Sequence, residues 1–131
     1  MHDGGTAVSR NLNAAFAAGN AEAAARLFAA DAVFEDLTLR TTIQGRAAIG
    51  RYLGRALREL PYGTGASVRH VVAGDQGGGY EWKADGHTVP RGVVALELGK
   101  AGEITRLTTT WDGGLMDEGA LSSLAALSFD R

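Results

Sequence analysis

The apolar residues of this chain repeat on two different periods, and the switch between them near Ala66 dictates the fold class. Before the switch, Val8, Leu12, Ala15 and Phe16 fall at i, i+4, i+7 and i+8, which is one face of a helix. Ala24, Leu27 and Phe28 give a shorter second helix its apolar face. Ile49, Tyr52, Leu53, Leu57 and Leu60 line a third, with Arg46, Arg51, Arg55 and Arg58 on its solvated side. From Ala66 onward apolar and polar residues alternate, the period of half-buried strands. Helices followed by a run of strands define an α+β domain.

Punctuation residues set the boundaries. Gly19 ends the first helix, Asn20 caps the second with Glu22 in its first turn, and Asp31 marks the exit. Val33-Phe34-Glu35-Asp36 reads as a short strand. The third helix opens after Gly45 and ends at Pro61, Gly63 and Gly65. Strands are expected over 67–73, 79–84, 87–98 and 103–111. Between them lie a Gly-rich turn over 74–78, a two-residue Asp85-Gly86 hairpin, and a turn over 99–102. No repeat or linker interrupts the pattern, so residues 1–131 read as one domain. Residues 1–6 are expected to form a flexible N-terminus, and 113–131 a C-terminal tail or short helix with Leu121, Leu124 and Ala125 on its apolar side.

Composition narrows the function classes. With 45% apolar residues in 131, the chain can bury one sizeable core without staples. A net charge of -2 provides no basic stripe for phosphates, so no nucleic-acid partner is expected. The absence of cysteine excludes disulfides, thiolate metal sites and a cysteine nucleophile, and fits a cytoplasmic protein. The polar opening lacks the pattern of a signal peptide, and no apolar stretch suggests a membrane span. His2, His70 and His87 are scattered without metal-ligand spacing, so no metal is expected. The Gly77-Gly78-Gly79 cluster sits between strands and opens no helix, which a phosphate loop requires.

Leu27-Phe28-Ala29-Ala30-Asp31-Ala32-Val33-Phe34-Glu35-Asp36, together with Gly45-Arg46-Ala47-Ala48-Ile49, resembles the signature of the nuclear transport factor 2-like superfamily. Within it the chain is most similar to SnoaL-like polyketide cyclases and, more distantly, to ketosteroid isomerases. The segment from Gly102-Glu103-Ile104 to Thr110-Trp111-Asp112 resembles the family's final strand. The resemblance spans about residues 7 to 112. It implies a cone-shaped α+β barrel, three helices packed on a curved antiparallel sheet around an apolar pocket (the cystatin-like arrangement). It also implies cofactor-independent cyclase or isomerase chemistry on a hydrophobic, polyketide-like molecule, and a homodimer formed through the sheet. The rival from another class is a non-catalytic small-molecule-binding or scaffold module of the same fold.

Phe34-Glu35-Asp36-Leu37 matches the isomerase segment that carries the general base, so Asp36 inherits that role by resemblance. The isomerases' two oxyanion donors fall at Leu12 and Val94, where no donor exists. Burial in an apolar pocket would raise the pKa of Asp36 and suit it to exchanging a proton with a carbon acid. The bland alternative is an Asp capping a turn. His70, alternating with Val68 and Val72, is a candidate proton partner for Asp36, or an ordinary strand residue. Asp112 is a candidate cyclase-type acid/base, or the start of the Asp112-Gly113-Gly114 turn. The resemblance makes Phe16, Phe34, Tyr52, Tyr80, Trp82, Val94 and Trp111 the substrate-binding wall. On the other sheet face are expected Val71, Val93, Ala95, Thr108 and Thr110, among Arg69, Arg91 and Arg106. A register slip of one residue would turn Arg91 and Glu97 inward and change the site.

Overall fold

A computed structural model describes residues 4–129; residues 1–3, with His2, and 130–131 lie outside the described residues. Helix α1 (Gly4–Ala17) starts earlier than the apolar spacing requires, so residues 4–6 are helical rather than part of a flexible N-terminus. Gly5 allows this. A Cβ there would meet the Gly77 and Gly74 carbonyls at 2.6 and 2.8 Å, so only glycine lets the helix rest on that turn. Gly19, at φ 69°, reverses the chain. The Asn20 side chain accepts the Ala23 N–H at 3.0 Å and starts α2 (Ala21–Ala25).

Helix α2 is shorter than expected, because residues 28–32 are drawn into β1 (Phe28–Asp36). Phe28 pairs with Ile104 on β6 (Ile104–Trp111), and inter-strand hydrogen bonds outweigh the helical preference of Ala29, Ala30 and Ala32. Strand β2 (Thr41–Gln44) was not anticipated; its Thr-Thr-Ile run carries the β-branched signal, and it pairs antiparallel with β1. Helix α3 (Arg46–Ala56) follows Gly45, which has φ 93°. The remaining strands are β3 (Ser67–Gly74), β4 (Gly77–Lys83) and β5 (Arg91–Leu98). Helix α4 (Glu118–Ala126) is capped by Asp117, whose side chain accepts the Ala120 N–H.

The six strands form one sheet in the order β2-β1-β6-β5-β4-β3. All neighbours run antiparallel except β1 and β6, which run parallel. Asp85-Gly86 does not make a two-residue hairpin. Its turn is held by His87 N–H to the Ala84 carbonyl, inside a longer loop closed by Ala84 N–H to the Pro90 carbonyl, and β5 starts at Arg91.

Three cross-strand rows tile the inner face. The first is Phe34, Leu107, Leu96, Gly78 and Ala73; the second is Asp36, Thr109, Val94, Tyr80 and Val71; the third is Trp111, Gly92, Trp82 and Val68. Arg91 and Glu97 are exposed on the outer face, so the expected parity of β5 holds. On β3 it does not. A bulge between Val68 and His70 reverses the alternation, turning Val71 inward beside Tyr80 and leaving His70 and Val72 outside.

Gly92 has a packing role. A Cβ there would lie 2.5 Å from Cζ2 of Trp82, a fully buried ring, and 3.0 Å from the Thr110 carbonyl. We expect Gly92→Val to destabilise the fold by about 1–3 kcal/mol through overpacking, read as a lower urea midpoint with an unchanged slope.

Candidate functional site

Asp36 closes β1 and begins the turn into β2. Its Oδ1 accepts the main-chain N–H of Thr38 at 3.0 Å and of Leu39 at 3.1 Å. This is an Asx-type turn, and it fixes the carboxyl in one orientation. Thr38 in turn grips β6: its hydroxyl donates to the Trp111 carbonyl at 2.6 Å and accepts the Trp111 N–H at 2.9 Å. The other carboxyl oxygen points inward. Oδ2 receives the Trp111 indole N–H at 3.3 Å and the Tyr62 hydroxyl at 3.4 Å.

Asp36 is wholly buried. Burial raises its pKa above the ordinary carboxylate range, partly countered by the hydrogen bonds from Leu39, Trp111, Thr38 and Tyr62. An aromatic cluster surrounds it. Phe34 stands edge-on to Tyr52 with centroids 5.7 Å apart, and Tyr62 lies 6.3 Å from Phe34 and 5.7 Å from Phe16. Burial also raises the Tyr52 and Tyr62 hydroxyls, and both feel the charge of Asp36. The Tyr52 hydroxyl is buried beside that of Tyr62 and interacts with it, so the two phenols and the carboxyl form one polar group inside the aromatic cluster.

The chain thus gathers Asp36, Trp111, Tyr52, Phe34 and Phe16 around Tyr62. Val94, Tyr80 and Trp82 share the inner face but sit further across the sheet. His70 is exposed on the outer face beside Glu81 and cannot pair with Asp36. Asp112 is exposed, and its side chain accepts the Gly114 N–H at 2.9 Å, the turn-forming alternative. Tyr62 was missed because Pro61-Tyr62-Gly63 reads as a helix terminator. The available signal was an aromatic residue wedged between turn formers. Gly63 lets the loop fold back, since a Cβ would collide with the Leu57 carbonyl.

Helix α4 covers this end of the barrel. Leu124 is buried in the core, and Arg55 Nε donates to the Leu127 carbonyl at the helix C-terminus, 3.0 Å away. Among the described residues, surface cavities of about 230 to 680 Å³ include one between α2 and α3 and one beside α4 and Leu39, and Asp36 lines neither of these. The largest of these lies between α2 and α3, among Ala21, Ala25, Arg26, Arg46, Ala47 and Gly50. Among the described residues, no group of three His, Asp or Glu stands placed to hold a metal ion. No helix among the described residues is long and apolar enough to cross a membrane.

The sequence profile of the SnoaL-like domain matches residues 9–108. The chain belongs to the SnoaL-like family. A candidate ketosteroid isomerase from Kribbella flavida superposes on this SnoaL-like domain with TM-score 0.63 and 26% identity, covering 83% of this chain and 78% of that one. A steroid delta-isomerase from Pseudomonas aeruginosa gives TM-score 0.69 at 14% identity over 98% and 90% of the two chains. A SnoaL-like protein of unknown function from Burkholderia thailandensis gives 0.68 at 16% over 84% and 95%. No curated protein matches the sequence. These likenesses place the chain in the nuclear transport factor 2-like superfamily and match the α+β barrel expected from its sequence.

The raised pKa of Asp36 has a stability consequence. The folded state holds its proton more tightly than the unfolded chain, so the contribution is complete below about pH 4 and is lost as pH rises through the folded pKa. Between the two pKa values the wild type should lose about 1.4 kcal/mol per pH unit relative to Asp36→Asn. Urea midpoints of both proteins from pH 4 to 8 measure this, and a constant difference would contradict it.

Proposed function

We propose that this SnoaL-like domain is a cofactor-independent cyclase or isomerase that moves a proton on a hydrophobic, polyketide-like small molecule. The observation that carries the proposal is the state of the Asp36 carboxyl. It is desolvated, oriented through Oδ1 by the main chain, and met at Oδ2 by Tyr62 and Trp111 beneath an aromatic cluster. A desolvated carboxylate takes a proton from a carbon next to a carbonyl more readily than a hydrated one, and the acid so formed can return it elsewhere on the skeleton. That exchange balances without a redox partner. The two isomerase donors, which fall at Leu12 and Val94 here, have a counterpart in the Tyr52 hydroxyl, which can turn from Tyr62 to donate to the developing enolate oxygen. Substrate entry requires α4 and the loop carrying Tyr62 to move, since the site is sealed when α4 is docked. A cytoplasmic setting and a small-molecule rather than nucleic-acid or membrane partner complete this reading.

The test uses 2-tetralone in deuterium oxide, with exchange at its acidic carbon followed by NMR. The wild type should accelerate exchange, Asp36→Asn should lower the rate by about 100-fold or more, and Tyr52→Phe by about 10-fold or more. Equal rates for wild type and Asp36→Asn would remove Asp36 as the base.

The sealed interior favours a second reading, a non-catalytic binding or scaffold module in which Asp36 serves the turn. Such a module would act through the outer sheet face, where Val72 is 66% and Val93 46% exposed among the Arg69–Glu81–Arg91 and Glu35–Arg106–Glu97 ion pairs. A homodimer through this face is part of the proposal under either reading. Sedimentation at micromolar concentration should give a dimer that Val93→Glu converts to monomer; a monomeric wild type would end the idea.

A further inference from the structure

A second set of buried polar groups lies on the inner face away from Asp36, and the proton-transfer reading makes no use of it. Ser9 Oγ and Asn13 Oδ1 on α1, and the Tyr80 hydroxyl and Trp82 Nε1 on β4, are buried without hydrogen-bond partners. Their residues are between 0 and 7% exposed. Native interiors rarely leave such atoms unmet, so each asks for a partner.

The four lie in one layer, between α1 and the inner face of the sheet. Ser9 and Asn13 are four apart, on one face of α1, and Tyr80 and Trp82 are two apart on the inner face of β4. Helix α1 packs along β3 and β4. It is pinned at one end by Gly5 against the 74–77 turn, and at the other by Asn13 Nδ2 donating to the Ala66 carbonyl and Gly65 N–H to the Ala17 carbonyl. Its course therefore runs opposite to β3, which sets Ser9 near the Tyr80 level and Asn13 near the Trp82 level. Tyr80 also shares a cross-strand row with Asp36, three strands away through Val94 and Thr109. On a flat sheet that separation is about 14 Å, and sheet curvature tilts the two side chains toward each other. Burial alone raises the Tyr80 hydroxyl, with no contribution from Asp36, so the two polar ends are separate.

We infer that the Ser9, Asn13, Tyr80 and Trp82 groups form a distal subsite for a ligand hydroxyl, so that the substrate is an apolar multi-ring molecule oxygenated at both ends. The donor inventory selects the hydroxyl. Trp82 Nε1 only donates and Asn13 Oδ1 only accepts, while Tyr80 and Ser9 do either. One hydroxyl can accept from Trp82 or Tyr80 and donate to Asn13; a carbonyl only accepts, and would depend on Ser9 or Tyr80 to meet Asn13 Oδ1. This inference rests on the proton-transfer reading for the other end of the ligand, where Asp36 and Tyr52 act.

The probes are 4-hydroxybiphenyl and 4,4′-dihydroxybiphenyl, titrated calorimetrically. The second hydroxyl should tighten binding to the wild type about 5- to 10-fold, one net hydrogen bond. In Tyr80→Phe or Trp82→Phe that advantage should shrink below about 2-fold. An equal affinity for both probes in the wild type, or an advantage that survives both variants, overturns the subsite. Asp36→Asn separates the two ideas. If it leaves the 2-tetralone exchange rate unchanged, the reading of Asp36 fails while the distal advantage still stands or falls by itself. The ligand-free protein gives a second measure. An unpartnered hydroxyl can be removed without loss, so Tyr80→Phe should melt at or above the wild-type temperature. A melting point lowered by several degrees would mean that a resident partner, such as a buried water, already fills the position, and that overturns the subsite whether or not either probe binds.

Discussion

Burying the Asp36 carboxyl is the constraint around which this end of the barrel is arranged. A carboxyl taken out of water is tolerated only if its oxygens are met, and each oxygen is met differently. Oδ1 is used by the Thr38 and Leu39 amides, which bend the chain from β1 into β2. Oδ2 is used by Trp111 and Tyr62, which come from the last long strand and from the loop after α3. One side chain thereby ties the β1–β2 turn, β6 and the α3 exit together. The exchange of hydrogen bonds between Thr38 and the Trp111 backbone adds a second tie at the same place. What remains of the desolvation raises the affinity of Asp36 for its proton, and that is the property proton-transfer chemistry uses.

The sheet explains how the interior keeps its pattern. Its inner rows alternate large and small residues. Gly92 lies between Trp111 and Trp82, and Gly78 follows Leu96, so the bulky rings have room to lie across the floor. The aromatic residues of α1, β1, α3 and the following loop then stack onto this floor. Unmet polar atoms in the α1–β4 layer contrast with the well-met carboxyl at the opposite end. The interior is therefore chemically asymmetric although its lining is mostly apolar.

Much of this was legible residue by residue. Asp36 was visible as an acidic residue following Val33 and Phe34 in a strand pattern; alternation put Tyr80 with Trp82 and Leu107 with Trp111 on shared faces, and the family resemblance turned the Tyr80–Trp82 face inward. Asp112 carried its turn role openly in the Gly-Gly that follows. His70 misled because a bulge adds one residue to β3 and reverses the alternation beyond Arg69; nothing in Val68-Arg69-His70-Val71-Val72 marks where the extra residue falls. Residues 28–32 misled in another way, since an alanine-rich segment reads as helix until β6 offers it a ladder.

The sequence alone determined the first and third helices, the change to strands after Ala66 and the identity of the acidic residue at the end of β1, because periodicity and turn chemistry are local properties. Tertiary structure decided that Tyr62 reaches Asp36, that β1 runs parallel to β6, and that His70 faces out. These depend on which segments meet and in what register, and pairing that exists only in the folded chain leaves no local pattern to read.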